Sequence, residues 1–442
     1  MTGVKSGNHG RLTLRVGALI DGTGAEPVTD AAIVIEAGTI RQAGQASEVL
    51  GDSQPRESGS RDSRSGDSPP GDSGRQDAPV AFDGAVAVPG FVDAHVHFTL
   101  FADGRSYEAM AGESDAMMTF AAARNALVHL RSGVTTARDN GSRNRLGFEL
   151  KAAVDQGVIH GPRLLVSGRP VTQPSGHFHW CNGTAAGPDE IRAAIRGLAA
   201  EGADHIKIMA SGGGTVGTDP ALASYSVPEL ACATTTAHEL GLPTTAHCRA
   251  AESMSRAIEA GLDCMEHGEF IALDGARPFD ADLAMRLVDS GMYLSPTLQA
   301  NGWDTIVRLR PLREAGELTP EQDRILSVAE QDTKITLEHV GRLADMGLSD
   351  RIIAGTDAGC FDFSFGHIDY CLELMVAAGM TPMQALLAAT SVAARACGVA
   401  GHVGTIEAGK RADIVILAAN PLEDIKAAAD VLAVYKDGEL VR

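Results

Sequence analysis

The chain has 442 residues, 44 % of them hydrophobic, with a mean hydropathy near zero and a formal net charge of −20. That length accommodates one large domain and a smaller one, and the composition is that of a globular protein. The acidic balance, with no basic stripe, excludes a nucleic-acid partner, and no segment is apolar for long enough to span a bilayer.

The N-terminus "MTGVKSGNHGRLTLRV" lacks the apolar core of a signal peptide, so a cytoplasmic location is expected. The seven cysteines are scattered, odd in number and without a CxxC pair. They read as reduced thiols rather than a disulfide framework.

Short β-branched runs punctuated by glycine come first, in "RLTLRVGALIDGTG" and "AAIVIEAGTIRQAG". The far end repeats the texture in "ADIVILAANP" and "VLAVYKDGELVR". Two terminal strand groups predict a small β domain built from residues 1–87 and 401–442. Within the first part, 51–79 is almost devoid of apolar residues and reads as a disordered low-complexity insertion.

Residues 88–400 alternate apolar runs with helical stretches. The predicted strands are "GFVDAHVHF", "VTTARD", "RLLVSG", "DHIKIMAS", "PTTAHC", "DCMEHG", "MYLSP" and "RIIAGTD". Between them lie patterns such as "PDEIRAAIRGLAAEG" and "AESMSRAIEAG", each ending in glycine as helices often do. Eight such units in series predict an α/β fold, a parallel (β/α)8 barrel, whose chemistry collects at the C-terminal ends of the strands.

Unusual side chains lie at those ends. Strand alternation turns His95 and His97 of "VPGFVDAHVHF" to one face, where two imidazoles can grip one metal ion. Lys207 in "DHIKIMAS" faces the interior, where it either snorkels out or pairs with an acid, or is neutralised by burial. A neutral amine there can capture carbon dioxide as a carbamate. His247 in "PTTAHC", His267 in "DCMEHG" and Asp357 in "RIIAGTD" complete the series. Imidazole and carboxylate together suit zinc and neighbouring divalent metals.

The stretches "VPGFVDAHVHF", "GVTTARD", "GADHIKIMASGG", "TTAHC", "MEHG", "IAGTDA" and "GTIEAGKRADIVIL" resemble the amidohydrolase superfamily, most closely its dipeptidase (prolidase-like) and imidazolonepropionase-like branch. The resemblance implies a distorted barrel, a β-sandwich from both termini and a binuclear centre of one or two Zn2+ or similar ions. It implies that His95, His97 and Asp357 hold one metal and His247 and His267 the other, with carboxylated Lys207 bridging them. Asp357 then doubles as the proton shuttle that amide cleavage needs. Tyr225 in "ASYSVPEL" matches a tyrosine that donates to the developing oxyanion, or is an aromatic packed on the barrel rim. His177 in "QPSGHFHW" corresponds to a Gly-Gly-His loop, with serine here in place of the first glycine. Arg249 and Arg169 either hold a substrate carboxylate or form surface ion pairs. Cys248, beside a metal ligand on a strand, points away from the site.

The expected activity is hydrolysis of a small linear amide, a dipeptide or an N-acyl amino acid. A cyclic amide, a lactone or an ester are alternative substrates for the same centre. A barrel that lost activity and serves as a binding protein is the non-enzymatic alternative, against which the intact ligand set weighs. Relatives often assemble as symmetric oligomers, so a homo-oligomer acting on a small molecule is expected.

Overall fold

The β-branched runs at the start of the chain fold as β1 (Leu12–Leu19), β2 (Val28–Glu36), β3 (Thr39–Gln45) and β4 (Val80–Pro89). The computed structural model describes residues 10–51 and 78–442, so most of the expected insertion at 51–79 lies outside the described residues. Three parallel strands follow, β5 (Phe91–Val96), β6 (Val134–Asp139) and β7 (Arg163–Val166). A second parallel sheet holds β8 (Ile206–Met209), β9 (Thr244–Ala250), β10 (Cys264–Ile271) and β11 (Tyr293–Ser295). Parallel neighbours need a crossover, and helices such as Asp115–Arg131, Gly187–Glu201 and Val227–Glu239 supply it. The fold is α/β.

These strands are buried on both faces, as sheets covered by helices require, and their apolar side chains join one large core. Backbone bridges link the two sheets at both flanks. Val171 pairs with Ile208 on one side; on the other, Leu294 pairs with Ile352 and Val96 with Ala358.

The segment "RIIAGTD" differs from expectation. It forms isolated bridges rather than a ladder strand. Gly355 shows why: a Cβ there would lie 2.3 Å from Ser295 Oγ and 2.8 Å from His95 Cβ, so the backbone is pressed between its neighbours. The chain then turns at Asp357, with φ at 57°. A buried side chain pins it instead. Thr356 N–H and Oγ1–H donate to the two Asp93 oxygens at 3.1 and 2.6 Å.

Three C-terminal strands, β12 (Ile414–Leu417), β13 (Val431–Lys436) and β14 (Glu439–Leu440), complete the chain. They join the N-terminal group in one seven-stranded sheet, ordered β14-β13-β12-β4-β1-β2-β3. The terminal unit expected as a β-sandwich is thus tied together by a single continuous sheet. Its own core holds Leu14, Val16, Ile33, Ile414 and Ile416. Arg163 of β7 anchors it to the rest, bonding Asp413 at 2.9 Å and Asp437 at 2.7 Å. Among the described residues no helix is long and apolar enough to cross a membrane.

Candidate active site

Register along the parallel strands brings the predicted ligands together. His247 stands beside Glu266 and Met209 in neighbouring strands, and Lys207 beside Thr245. His95, His97, Lys207, His247, His267 and Asp357 all line one cavity of about 650 Å3, its open mouth included.

The outward nitrogen of each of the four imidazoles is occupied. His95 Nδ1 meets Glu266 Oε2 at 2.8 Å and His97 Nδ1 meets the Gly141 carbonyl at 3.1 Å. His247 Nε2 meets the Gly212 carbonyl at 3.1 Å, and His267 Nδ1 meets Thr297 Oγ1 at 2.8 Å. A carbonyl or carboxylate can only accept, so the proton of His95, His97 and His247 sits on the outward nitrogen. Their inward nitrogens carry bare lone pairs. Burial pushes His95, His247 and His267 below the ordinary imidazole range, which keeps the rings neutral.

Those inward atoms converge. His95 Nε2, His97 Nε2 and Asp357 Oδ1 lie 3.3 Å from one another. Three donors set around one centre at the usual 2.0–2.1 Å, in tetrahedral directions, would be about 3.3 Å apart. His247 Nδ1 and His267 Nε2 face each other at 2.8 Å, a hydrogen bond in which His267 Nε2 donates. The bare lone pairs of His95 and His97 crowded against the Asp357 carboxylate repel unless a cation lies between them, so that donor set fits a divalent metal. Lys207 Nζ adds to this: it is buried and has no hydrogen-bond partner among the described residues. Burial lowers its pKa despite nearby Glu266 and Asp357. For Asp357 burial opposes ionisation, yet His95, His97 and His267 hold its carboxyl well below the usual range.

Glu266 was not foreseen. It is fully buried next to His267, which takes a left-handed φ of 70°, so both neighbours reach the site although strand alternation would separate them. Besides orienting His95, it accepts from Arg138 Nη2 at 2.8 Å, from Asn140 Nδ2 at 3.2 Å and from Thr245 Oγ1. Charged residues inside two segments that read as buried strands, Arg138 in "VTTARD" and Glu266 in "DCMEHG", were the available signal. Asp93 plays a similar part: its Oδ1 accepts from His95 N and its Oδ2 from His129 Nε2.

The substrate-side expectations divide. His177 lines the cavity, 4.6 Å from His247 between ring centroids, with Nδ1 at 2.8 Å from Thr215 Oγ1. Burial, with Arg249 nearby, pushes its pKa down to about 3. Arg249 also lines the cavity, paired through Nη2 with Glu269 at 2.9 Å. Tyr225 does not reach the cavity. Its hydroxyl donates to the Ala185 carbonyl at 2.8 Å and its ring packs in the main core, so its backbone position makes it a packing residue. Arg169 is likewise elsewhere, held by Glu201 and the Asn144 carbonyl in an ion pair. Cys248 turns into the core, toward the Ser253 carbonyl, and burial raises its thiol to about 12. The tyrosine that does line the cavity is Tyr107, on the short helix Tyr107–Ala111 after β5.

Three glycines after β8 shape one wall. A Cβ on Gly213 would fall 2.6 Å from His177 Nε2, and one on Gly214 would fall 2.6 Å from Phe361 Cζ and 2.8 Å from Tyr107 Cε2. Gly212 supplies the carbonyl that orients His247.

Comparison with known proteins places this geometry. The pattern described as "Amidohydrolase family" matches residues 86–441. The ochratoxinase of Aspergillus niger is 27 % identical over 388 residues, covering 81 % of this chain and 76 % of that protein. Its crystal structure superposes with a TM-score of 0.75 over 98 % of this chain and 96 % of that one, at 24 % identity. A Xaa-Pro dipeptidase with methionine bound in its active site superposes with a TM-score of 0.78 at 26 % identity, covering 98 % of this chain and 99 % of that one.

Proposed function

The chain belongs to the amidohydrolase family, and on that footing we propose that it is a divalent-metal-dependent hydrolase of a small linear amide, a dipeptide or an N-acyl amino acid. The bridges at both flanks of the parallel sheets support a closed (β/α)8 barrel over residues 88–400, with the terminal sheet as its second domain. The observation that carries the functional reading is the convergence of His95 Nε2 and His97 Nε2 on Asp357 Oδ1, in a cavity that the partnerless Lys207 amine also lines.

On this reading His95, His97 and Asp357 would hold one zinc or similar ion, and His247 and His267 would hold a second. Lys207 would supply oxygen ligands as the carbamate that its neutral amine would form with carbon dioxide on release of a proton. When bound, such metals polarise the scissile carbonyl and lower the pKa of a water molecule. The chain's residues do the rest. Asp357 takes the proton of the attacking water and returns it to the leaving nitrogen, which would otherwise depart as an unstable amide anion. His177, its pKa pushed down to about 3, is neutral near neutral pH and acts as a hydrogen-bond donor to the carbonyl oxygen rather than as an acid. Arg249, fixed by Glu269, faces the substrate carboxylate.

Elemental analysis should find one to two equivalents of a divalent metal, and strong chelators should abolish hydrolysis of a panel of dipeptides and N-acyl amino acids. Metal-free protein with undiminished activity would overturn the reading.

A further inference from the structure

We infer that the substrate carries an aromatic ring, or an apolar group of similar size and flatness, received by the partly exposed rings of Phe361 and Phe363, with Tyr107 and Phe178 packed behind them; this rests on the amide-hydrolase reading and narrows its substrate class.

Aromatic residues make up only 4 % of the chain, with two Trp, five Tyr and twelve Phe. Four of them nevertheless line this one cavity. They arrive on three separate loops, after β5, after β7 and after the 351–357 segment. Their rings pack in a continuous row, with centroids 5.0 Å apart for Tyr107 and Phe178, 4.8 Å for Tyr107 and Phe361, and 5.9 Å for Phe361 and Phe363.

The backbone gives a second, independent indication. Phe178 and Phe361 adopt left-handed φ values of 59° and 45°. Bulky residues avoid that region, and strain of this kind persists where the surroundings enforce it, often at ligand sites. Here His267 and Asp357 share it. The opposite wall yields room to the same rings, since any side chain at Gly214 would strike Phe361 and Tyr107. Packing alone would bury all four rings. Instead Phe361 and Phe363 stay partly exposed, while Tyr107 and Phe178 are covered. A small acyl group would leave those exposed ring faces wet; an aromatic one would cover them.

Two matched sets of amides test this. One varies the acyl half (acetyl, phenylacetyl) on a common amino acid, and the other varies the amine half (alanine, phenylalanine) under a common acyl group. In at least one set, kcat/KM for the aromatic member should exceed that of the small member by about tenfold or more, the range that burial of one ring supplies. Phe361→Ala and Phe363→Ala should each shrink that ratio severalfold, mainly through KM. Equal kcat/KM across both sets, or ratios untouched by both substitutions, would overturn the inference. Calorimetric binding of phenylacetate and acetate to the wild-type protein covers the case in which the variants do not fold. Phenylacetate should bind at least about tenfold tighter, and equal binding would overturn the inference. If no amide turns over while phenylacetate still binds tighter, the amide-hydrolase reading fails and the aromatic wall stands.

Discussion

Replacing Glu266 by glutamine changes one atom and should cost the protein its metal. The carboxylate accepts from His95 Nδ1 through one oxygen and from Arg138, Asn140 and Thr245 through the other. A glutamine has one oxygen and one amino group to offer. If the oxygen keeps Arg138, the amino group faces His95 Nδ1, where donor meets donor. His95 can relieve this by moving its proton to Nε2, the atom that stands 3.3 Å from both His97 and Asp357. A protonated Nε2 cannot hold a cation. Loss of such an orienting partner weakens metal binding by roughly 10–100-fold. Reversing the glutamine leaves the Arg138 guanidinium, 2 % exposed, without its acceptor, at up to about 3–5 kcal/mol of stability. Metal affinity of Glu266→Gln should be read by competition with a chelator of known strength, beside thermal unfolding of the metal-free protein, which separates orientation from folding. An affinity within about threefold of wild type, well short of that range, in a variant that still unfolds cooperatively would refute the reasoning.

Lys207→Ala should lose most activity and the paired metals, with partial rescue by short-chain carboxylic acids; full activity without them would exclude a carbamate role. Asp357→Asn keeps shape and one oxygen but not the base, so turnover should fall by about a hundredfold to ten-thousandfold while metal content, measured by elemental analysis, falls far less. Gly213→Ala forces the His177 ring away from a Cβ that would lie 2.6 Å from Nε2. A displacement of that order costs on the order of a hundredfold in kcat, and unchanged kcat in a metal-replete variant would show that His177 takes no part.

The meeting of His95 and His97 was legible because strand periodicity is a local property. His95 and His97, two residues apart, share a face whatever the rest of the chain does. The partners that orient them were not legible, since Glu266 and His95 are 171 residues apart and nothing in "CMEHG" marks the glutamate as inward-facing once His267 turns left-handed. Tyr225 misled for a related reason. It stands at the right place along the chain, but its hydroxyl is claimed by the Ala185 carbonyl, and the cavity draws its tyrosine from the short helix after β5. For Arg169 the blander alternative, an ion pair, is the one observed. The segment around Gly355 has the apolar residues of a strand without its ladder, because contact on both sides leaves no regular pairing.

The grip of Asp93 on Thr356 spans 263 residues and sets an order of events during synthesis. The first pair of histidines emerges early from the ribosome, but Asp357 emerges only after more than three quarters of the chain. Until then His95 and His97 have neither the third donor nor the segment that aligns with them. Contacts this distant in sequence form late and slowly. Metal capture would therefore mark the end of folding rather than seed it. Chains that stop short of Asp357 should fail to load, however well their earlier strands are formed.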